Sequence, residues 1–214
     1  MTADRLEALA REAAHCRACF HRGDLQPPTI DIAQPRWVGT GYWSAKPKVC
    51  VLMLNPGAGS GRKDSADAKM RSLLMEFRDG KVGLGEVLQR QRLDMPNWGR
   101  GKFYRFFFTL MGLRLDQTAF ANVAWCSTVG DKYPTGMRTT CLSKFTGRLL
   151  ELLAPDVVIL SGGAVGDHEA EIRRFAPKAH IIRTLHYAHR EAGEVEAAAI
   201  ANVRHAIGIL PRAL

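Results

Sequence analysis

The sequence predicts an α/β fold, a three-layer α/β/α arrangement around a central, mainly parallel sheet. Two observations carry this prediction. Short apolar runs rich in β-branched residues recur along the chain, among them VCVLML at 49–54 and DVVILS at 156–161, as strands buried on both faces require. Helical stretches separate the runs, and parallel neighbours need such crossovers. A length of 214 residues suits a single full core, so residues 1–214 are read as one domain, without repeats, low-complexity tracts or linkers.

The elements follow in order. Residues 3–14 have the apolar spacing of a short amphipathic helix that leads directly into Cys16. QPPT, QPRW and GTGYW then give Pro/Gly/aromatic loop without periodicity. The strand at 49–54 ends in Asn55-Pro56-Gly57, and residues 65–77 set Met70, Leu73, Leu74 and Phe77 on one side of a helix. Residues 79–101, with scattered glycines, Pro96 and several arginines, read as an irregular basic connection. Residues 102–113 make an aromatic-rich helix closed by Gly112. The second half is more regular, with strands at 119–125, 156–161 and 180–185 and helices at 137–153, 164–175 and 191–207.

The formal net charge is +9 and the pI near 9.6. A basic balance of this size points to a polyanionic partner, with nucleic acid ahead of a membrane surface. No apolar run approaches the ~18 residues of a membrane span, and the first residues lack the apolar core of a signal peptide. A cytoplasmic protein without a membrane partner is expected. In that reducing compartment the five cysteines read as metal ligands or core residues rather than disulfides.

The loop GAGSGRK at 57–63 invites a nucleotide-binding reading, but the residues depart from both patterns. A Walker loop needs Gly-Lys-Ser/Thr at its end, and here Gly61 is followed by Arg62, Lys63 and Asp64. The dinucleotide fingerprint fits Gly57 and Gly59 and fails at Arg62. The glycines still permit close backbone approach to a ligand. The cysteines carry a sharper signal. Cys16 and Cys19 form C-x-x-C at the end of a helix, and Cys126 and Cys141 lie at a strand end and inside a helix. Four thiolates from three segments can enclose a 4Fe–4S cluster or a tetrahedral zinc. Cys50, inside the apolar strand, belongs to the core.

Read together, C-x-x-C, ANVAWCSTVGDKYPTGMRTTC at 121–141 and LLELLAPDVVILSGGAV at 149–165 resemble the uracil-DNA glycosylase superfamily, most closely its iron–sulfur (family-4-type) branch. The resemblance spans approximately residues 12–190. The fourth cysteine arrives one residue earlier than the family pattern. The first activity motif, LNPGAG, is similar instead to the G-x-N-P-G of the mismatch-specific and single-strand-selective branches. The second, HYAHR at 186–190, keeps the family's histidine and arginine but has Tyr187 where the family has proline.

The resemblance implies a base-excision repair glycosylase that hydrolyses the N-glycosidic bond of uracil, or a related deaminated base, in DNA. It implies a 4Fe–4S cluster on Cys16, Cys19, Cys126 and Cys141, with zinc the alternative occupant. Asn55 would hold the hydrolytic water, and His186 would donate to O2 of the leaving base. Asn122 would read the base edge, with Pro56 and Gly57 lining the pocket. Arg62, Lys63, His189 and Arg190 are the expected DNA contacts, joined by arginines 90, 92 and 100. The family stacks an aromatic on the flipped base; residues 58–101 do not follow the family closely, so spacing singles out no residue for that place, and Phe77 is one candidate. The protein would act as a monomer on DNA carrying a damaged base. The other readings are a catalytically silent binder of uracil-containing or abasic DNA, for which the altered motifs leave room, and a phosphate-binding enzyme resting on the glycine loop alone.

Overall fold

A computed structural model describes residues 2–19, 30–57, 65–129, 133, 136–189 and 193–208. It is a mixed α/β structure with a four-stranded parallel sheet flanked by helices, compatible with the expected three-layer arrangement. In chain order the elements are α1 (Thr2–His15), β1 (Val49–Met53), α2 (Ala66–Arg78), α3 (Leu84–Asp94), α4 (Lys102–Tyr104) and β2 (Thr118–Asn122). There follow α5 (Met137–Cys141), α6 (Gly147–Leu153), β3 (Val157–Ser161), α7 (Gly163–Gly166), α8 (Glu169–Phe175), β4 (His180–Thr184) and α9 (Glu194–Ala206). Two compact units interleave along the sequence: Met1–Arg36, Asn55–Gln91 and Asn122–Leu152 form one, and Trp37–Leu54, Arg92–Ala121 and Leu153–Leu214 the other.

The second unit is organised by the sheet, in spatial order β2-β1-β3-β4. Val49 pairs with Val157 and Leu52 with Leu160, and β3 continues the parallel register from Val157–His180 to Ser161–Thr184. Every residue of β1, β2 and β3 is buried, whereas the edge strand β4 is buried only at Ile182. That difference explains the sequence pattern. The inner strands β1 and β3 are covered on both faces and tolerate an unbroken apolar run, while β4 at one edge carries polar residues. β2 lies at the other edge of the order but is buried too, its Ala119 bridged to Val38. Phe103 and Phe107 of the aromatic helix pack edge-on or tilted against Phe120 of β2, with ring centroids 5.1 and 5.6 Å apart. Leu160 is fully buried, and truncation of such a residue to alanine costs about 2–5 kcal/mol.

In the first unit α1 packs on α2, and the Arg11 guanidinium lies 4.5 Å over the Phe77 ring while also donating to the Phe77 carbonyl. Ser65 caps α2, its hydroxyl accepting from the Ala68 amide at 3.2 Å. Such a cap satisfies one of the donors that a helix start leaves without a partner.

Residues 79–101 are more ordered than their composition implies. α3 buries Leu84, Val87 and Gln91, positions three and seven apart that share one helical face. Gly83, Gly85 and Pro96 mask that short period in the sequence. Met95–Gly101 holds short helical turns broken by a kink, where Trp98 is extended and Gly99, Arg100 and Gly101 have positive φ, at 57, 59 and 83°. The helices expected at 102–113 and 137–153 are interrupted in hydrogen-bond pattern, with π-helical turns at Arg105–Leu110 and Leu142–Thr146. The expected 164–175 helix is split into α7 and α8. β2 stops at Asn122, so Cys126 lies four residues beyond the strand and not at its end.

Candidate active site and cysteine centre

β1 delivers the chain to Asn55 two residues past its C-terminal end. The side-chain amide is held on both sides. Nδ2 donates to the Pro56 carbonyl at 2.9 Å and to the Thr128 hydroxyl at 3.1 Å. Oδ1 accepts from the Tyr133 hydroxyl at 2.9 Å. A carbonyl only accepts, so the contact with Pro56 fixes which end of the amide is nitrogen, and Oδ1 is left as the outward acceptor. Pro56 is buried and Gly57 exposed, and a side chain placed at Gly57 would meet no protein atom.

Asn122 is the last residue of β2 and is buried. Its backbone carbonyl accepts from the Thr146 hydroxyl at 2.8 Å, and that hydroxyl accepts in turn from the Trp125 indole at 3.0 Å. These bonds lie in the π-helical turn, whose widened backbone brings Thr146 to the strand end.

His186 leaves β4 two residues past Thr184. The exit is clamped from β3, since the Gly162 amide donates to the Thr184 carbonyl at 2.9 Å and the Ser161 hydroxyl to the Leu185 carbonyl at 3.1 Å. Gly162 has φ +100°, and an added Cβ would stand 3.3 Å from that of His186, so glycine lets the histidine seat closely. The Ala188 amide donates to Nδ1 of His186 at 3.2 Å. Nδ1 must then offer a lone pair, which puts the proton of the neutral ring on Nε2. His186 is exposed to solvent, and desolvation of the inner part of its ring, with the neighbouring His189 adding to the effect, holds its pKa below the ordinary 6.5.

Tyr187 is held by its ring contacts. Its ring lies against His186 at 4.3 Å and edge-on to Phe103 at 5.4 Å, and an added Cβ at Gly99 would meet it at 2.5 Å. Packing against the aromatic helix and the glycine backbone restrains the turn after β4. His189 does not project into solvent. Its side chain is 7% exposed, 3.4 Å from Glu196 and edge-on to Phe106 at 5.5 Å.

Four of the free cysteines come together. Cys16, Cys19, Cys126 and Cys141 line one cavity with Ala18, Ala33, Met137, Thr140 and Phe145. Burial raises the pKa of Cys126, with Cys141, Cys19 and Cys16 adding repulsion. Burial pushes Cys141 up to about 12 against the opposing hydrogen bond from the Trp125 amide, 3.1 Å from its Sγ. Cys19 is raised chiefly by burial and by Cys16, with Lys144 pulling the other way. Cys19, Cys126 and Cys141, raised chiefly by burial, would need a cationic partner to stand deprotonated, as a metal–sulfur core requires. Among the described residues no group of three or more His, Cys, Asp or Glu side chains is set to hold a single metal ion. The four cysteines nonetheless share one cavity, and thiolates are the donors that a metal–sulfur cluster or a zinc would take. Cys50 is fully buried in β1, its thiol pushed up to about 12 by burial, as a core residue should be.

Phe77 is not available to stack on a base, because it is fully buried in α2 beneath Arg11. The sequence places it on the apolar face of a helix, and core packing claims it. Arg92 and Arg100 are exposed and Arg90 is half-buried. The expected DNA contacts Arg62, Lys63 and Arg190 lie outside the described residues. Thr128 and Tyr133 were not singled out by motif, since they reach Asn55 from 73 and 78 residues away in sequence. Comparison of the chain with family models and with curated proteins finds no match to either.

Proposed function

We propose that this protein is a DNA glycosylase of base-excision repair, a hydrolase of the uracil-DNA glycosylase type, that removes uracil or a related deaminated base from DNA. One observation carries most of the weight. Asn55 follows β1, Asn122 ends β2 and His186 follows β4, all at C-terminal ends of strands in one parallel sheet. Ligands of open α/β sheets bind outside such ends.

The chemistry asks little of the protein in covalent terms. As the glycosidic bond breaks, N1 of the base keeps the electron pair and the sugar becomes cation-like. The Nε2–H of His186 donates to O2 of the leaving base, where negative charge develops. A neutral imidazole makes this donation without giving up its proton. The Asn122 amide donates to O4 and accepts from N3–H, a pattern that suits uracil and mismatches cytosine. Asn55 Oδ1 orients a water whose oxygen bonds to C1′, and the excess proton leaves to solvent. An amide has no useful basicity near neutral pH, so Asn55 places the water without deprotonating it. A slower or more specialised enzyme than one with a carboxylate at this position is expected.

Cys16, Cys19, Cys126 and Cys141 would hold the 4Fe–4S cluster, which supplies a covalent tie between segments and takes no part in the substrate chemistry. Basic residues would hold the DNA phosphates while a base is extruded, a step that costs a few kcal/mol of unstacking. For His189 to take part, its contact with Glu196 must open.

Asn55→Ala and His186→Ala should each lower single-turnover excision by about 100-fold, the size of effect for loss of one transition-state donor or water ligand, while affinity for uracil-containing DNA is kept. A wild-type protein that binds such DNA but excises nothing would favour the silent-binder reading, to which the tyrosine in HYAHR and the amide in LNPGAG lend themselves.

A further inference from the structure

We propose that Tyr133 is a positioning residue for Asn55, tied by Arg138 to the helix that bears Cys141. The proposal rests on the reading of Asn55 as the residue that holds the water. An amide oxygen has two acceptor directions. One of those on Asn55 Oδ1 is filled by the Tyr133 hydroxyl at 2.9 Å, which leaves one for a water and limits where that water can stand. Nδ2 is pinned by Pro56 and Thr128 on the other side. The three bonds fix the plane of the amide and its sense, so Asn55 is ordered before substrate arrives.

Tyr133 is itself restrained. The Arg138 guanidinium lies 4.3 Å over its ring, a cation–π contact. Arg138 belongs to α5, which ends at Cys141, a wall of the thiol cavity. A continuous set of contacts therefore runs from Cys141 along one turn of helix to Arg138, to Tyr133 and to Asn55 Oδ1.

Tyr133→Phe removes the hydroxyl and keeps the ring. Single-turnover excision should slow about tenfold, the cost of one neutral hydrogen bond, with the affinity for uracil-containing DNA unchanged. The double variant with Asn55→Ala should be no slower than Asn55→Ala alone, because Tyr133 acts through that amide. Arg138→Gln keeps the hydroxyl but unseats the ring, and should slow excision in the same direction at full iron content. The Asn55 side-chain N–H pair in a 15N-correlated spectrum, identified by its loss in Asn55→Ala, should shift in Tyr133→Phe. Wild-type excision rates in Tyr133→Phe, or slowing that adds fully to that of Asn55→Ala, would overturn the proposal. If the wild-type protein excises nothing, the glycosylase reading fails separately, and the spectrum decides for Tyr133: a shifted Asn55 pair supports its positioning role, and an unmoved pair removes it.

Discussion

Two residues show how local geometry sets chemistry. The bond from the Ala188 amide to Nδ1 selects the tautomer of His186 that can donate from Nε2, and burial followed by His189 lowers its pKa from 6.5. The pH dependence follows from that direction. If the neutral ring is the working form, kcat/KM falls on the acid side, with an apparent pKa below the ordinary value of 6.5. Stability follows the same sense. Between the lowered folded pKa and the unfolded value, the unfolded chain binds more protons, so stability declines as pH falls through that window and is full above it. His186→Gln, which keeps a donor but does not titrate, should lose the acid limb in a pH–rate profile. Gly57 offers a complementary test. Because a methyl group there would touch no protein atom, Gly57→Ala should leave the melting temperature within a degree or two, on the scale of a neutral surface change. If a flipped nucleotide approaches that backbone, the same substitution should slow excision or weaken binding. Equal activity would place the base elsewhere.

At the scale of elements, the cysteine centre joins the end of α1, the segment after β2 and the end of α5. Purified protein should carry about four irons per chain with the absorbance of a thiolate-bound cluster. Cys16→Ala or Cys141→Ala should lose the iron and lower the melting temperature. Cys50→Ala should keep the iron, since that thiol lies in the core of β1. Iron retained in Cys141→Ala would separate that residue from the centre. The elements also show what was legible in the sequence. β1 and β3 announce themselves by unbroken β-branched runs, and Cys16 and Cys19 by their spacing. α3 was hidden, because Gly83, Gly85 and Pro96 surround an apolar period only two turns long and Gln91 fills a core position, donating to the Pro35 carbonyl at 2.5 Å. The π-helical turns leave no mark in residue type, since they depend on tertiary contacts such as Thr146 with the end of β2. Phe77 suits base stacking by residue type, but its helical spacing assigns it to the core, where it is fully buried. Tyr133 was missed because its meaning lies in a partner 78 residues away, which no local pattern encodes.

For the whole molecule, β1 is followed by Asn55, β2 ends at Asn122 and β4 is followed by His186, and a net charge of +9 favours a polyanionic partner. The sheet and its register follow from the distribution of apolar residues. The specific chemistry follows from only a few side chains at the strand ends, so the same fold with other residues there would do something else. The most direct measurement is therefore of base excision itself. Cluster-loaded protein would be given labelled oligonucleotides carrying uracil, hypoxanthine or xanthine, single-stranded and opposite each normal base, followed by alkali to break abasic sites. Cleavage at uracil, lost in Asn55→Ala, is the result this account predicts. Intact oligonucleotides throughout, from protein that carries its iron and binds DNA, would contradict it.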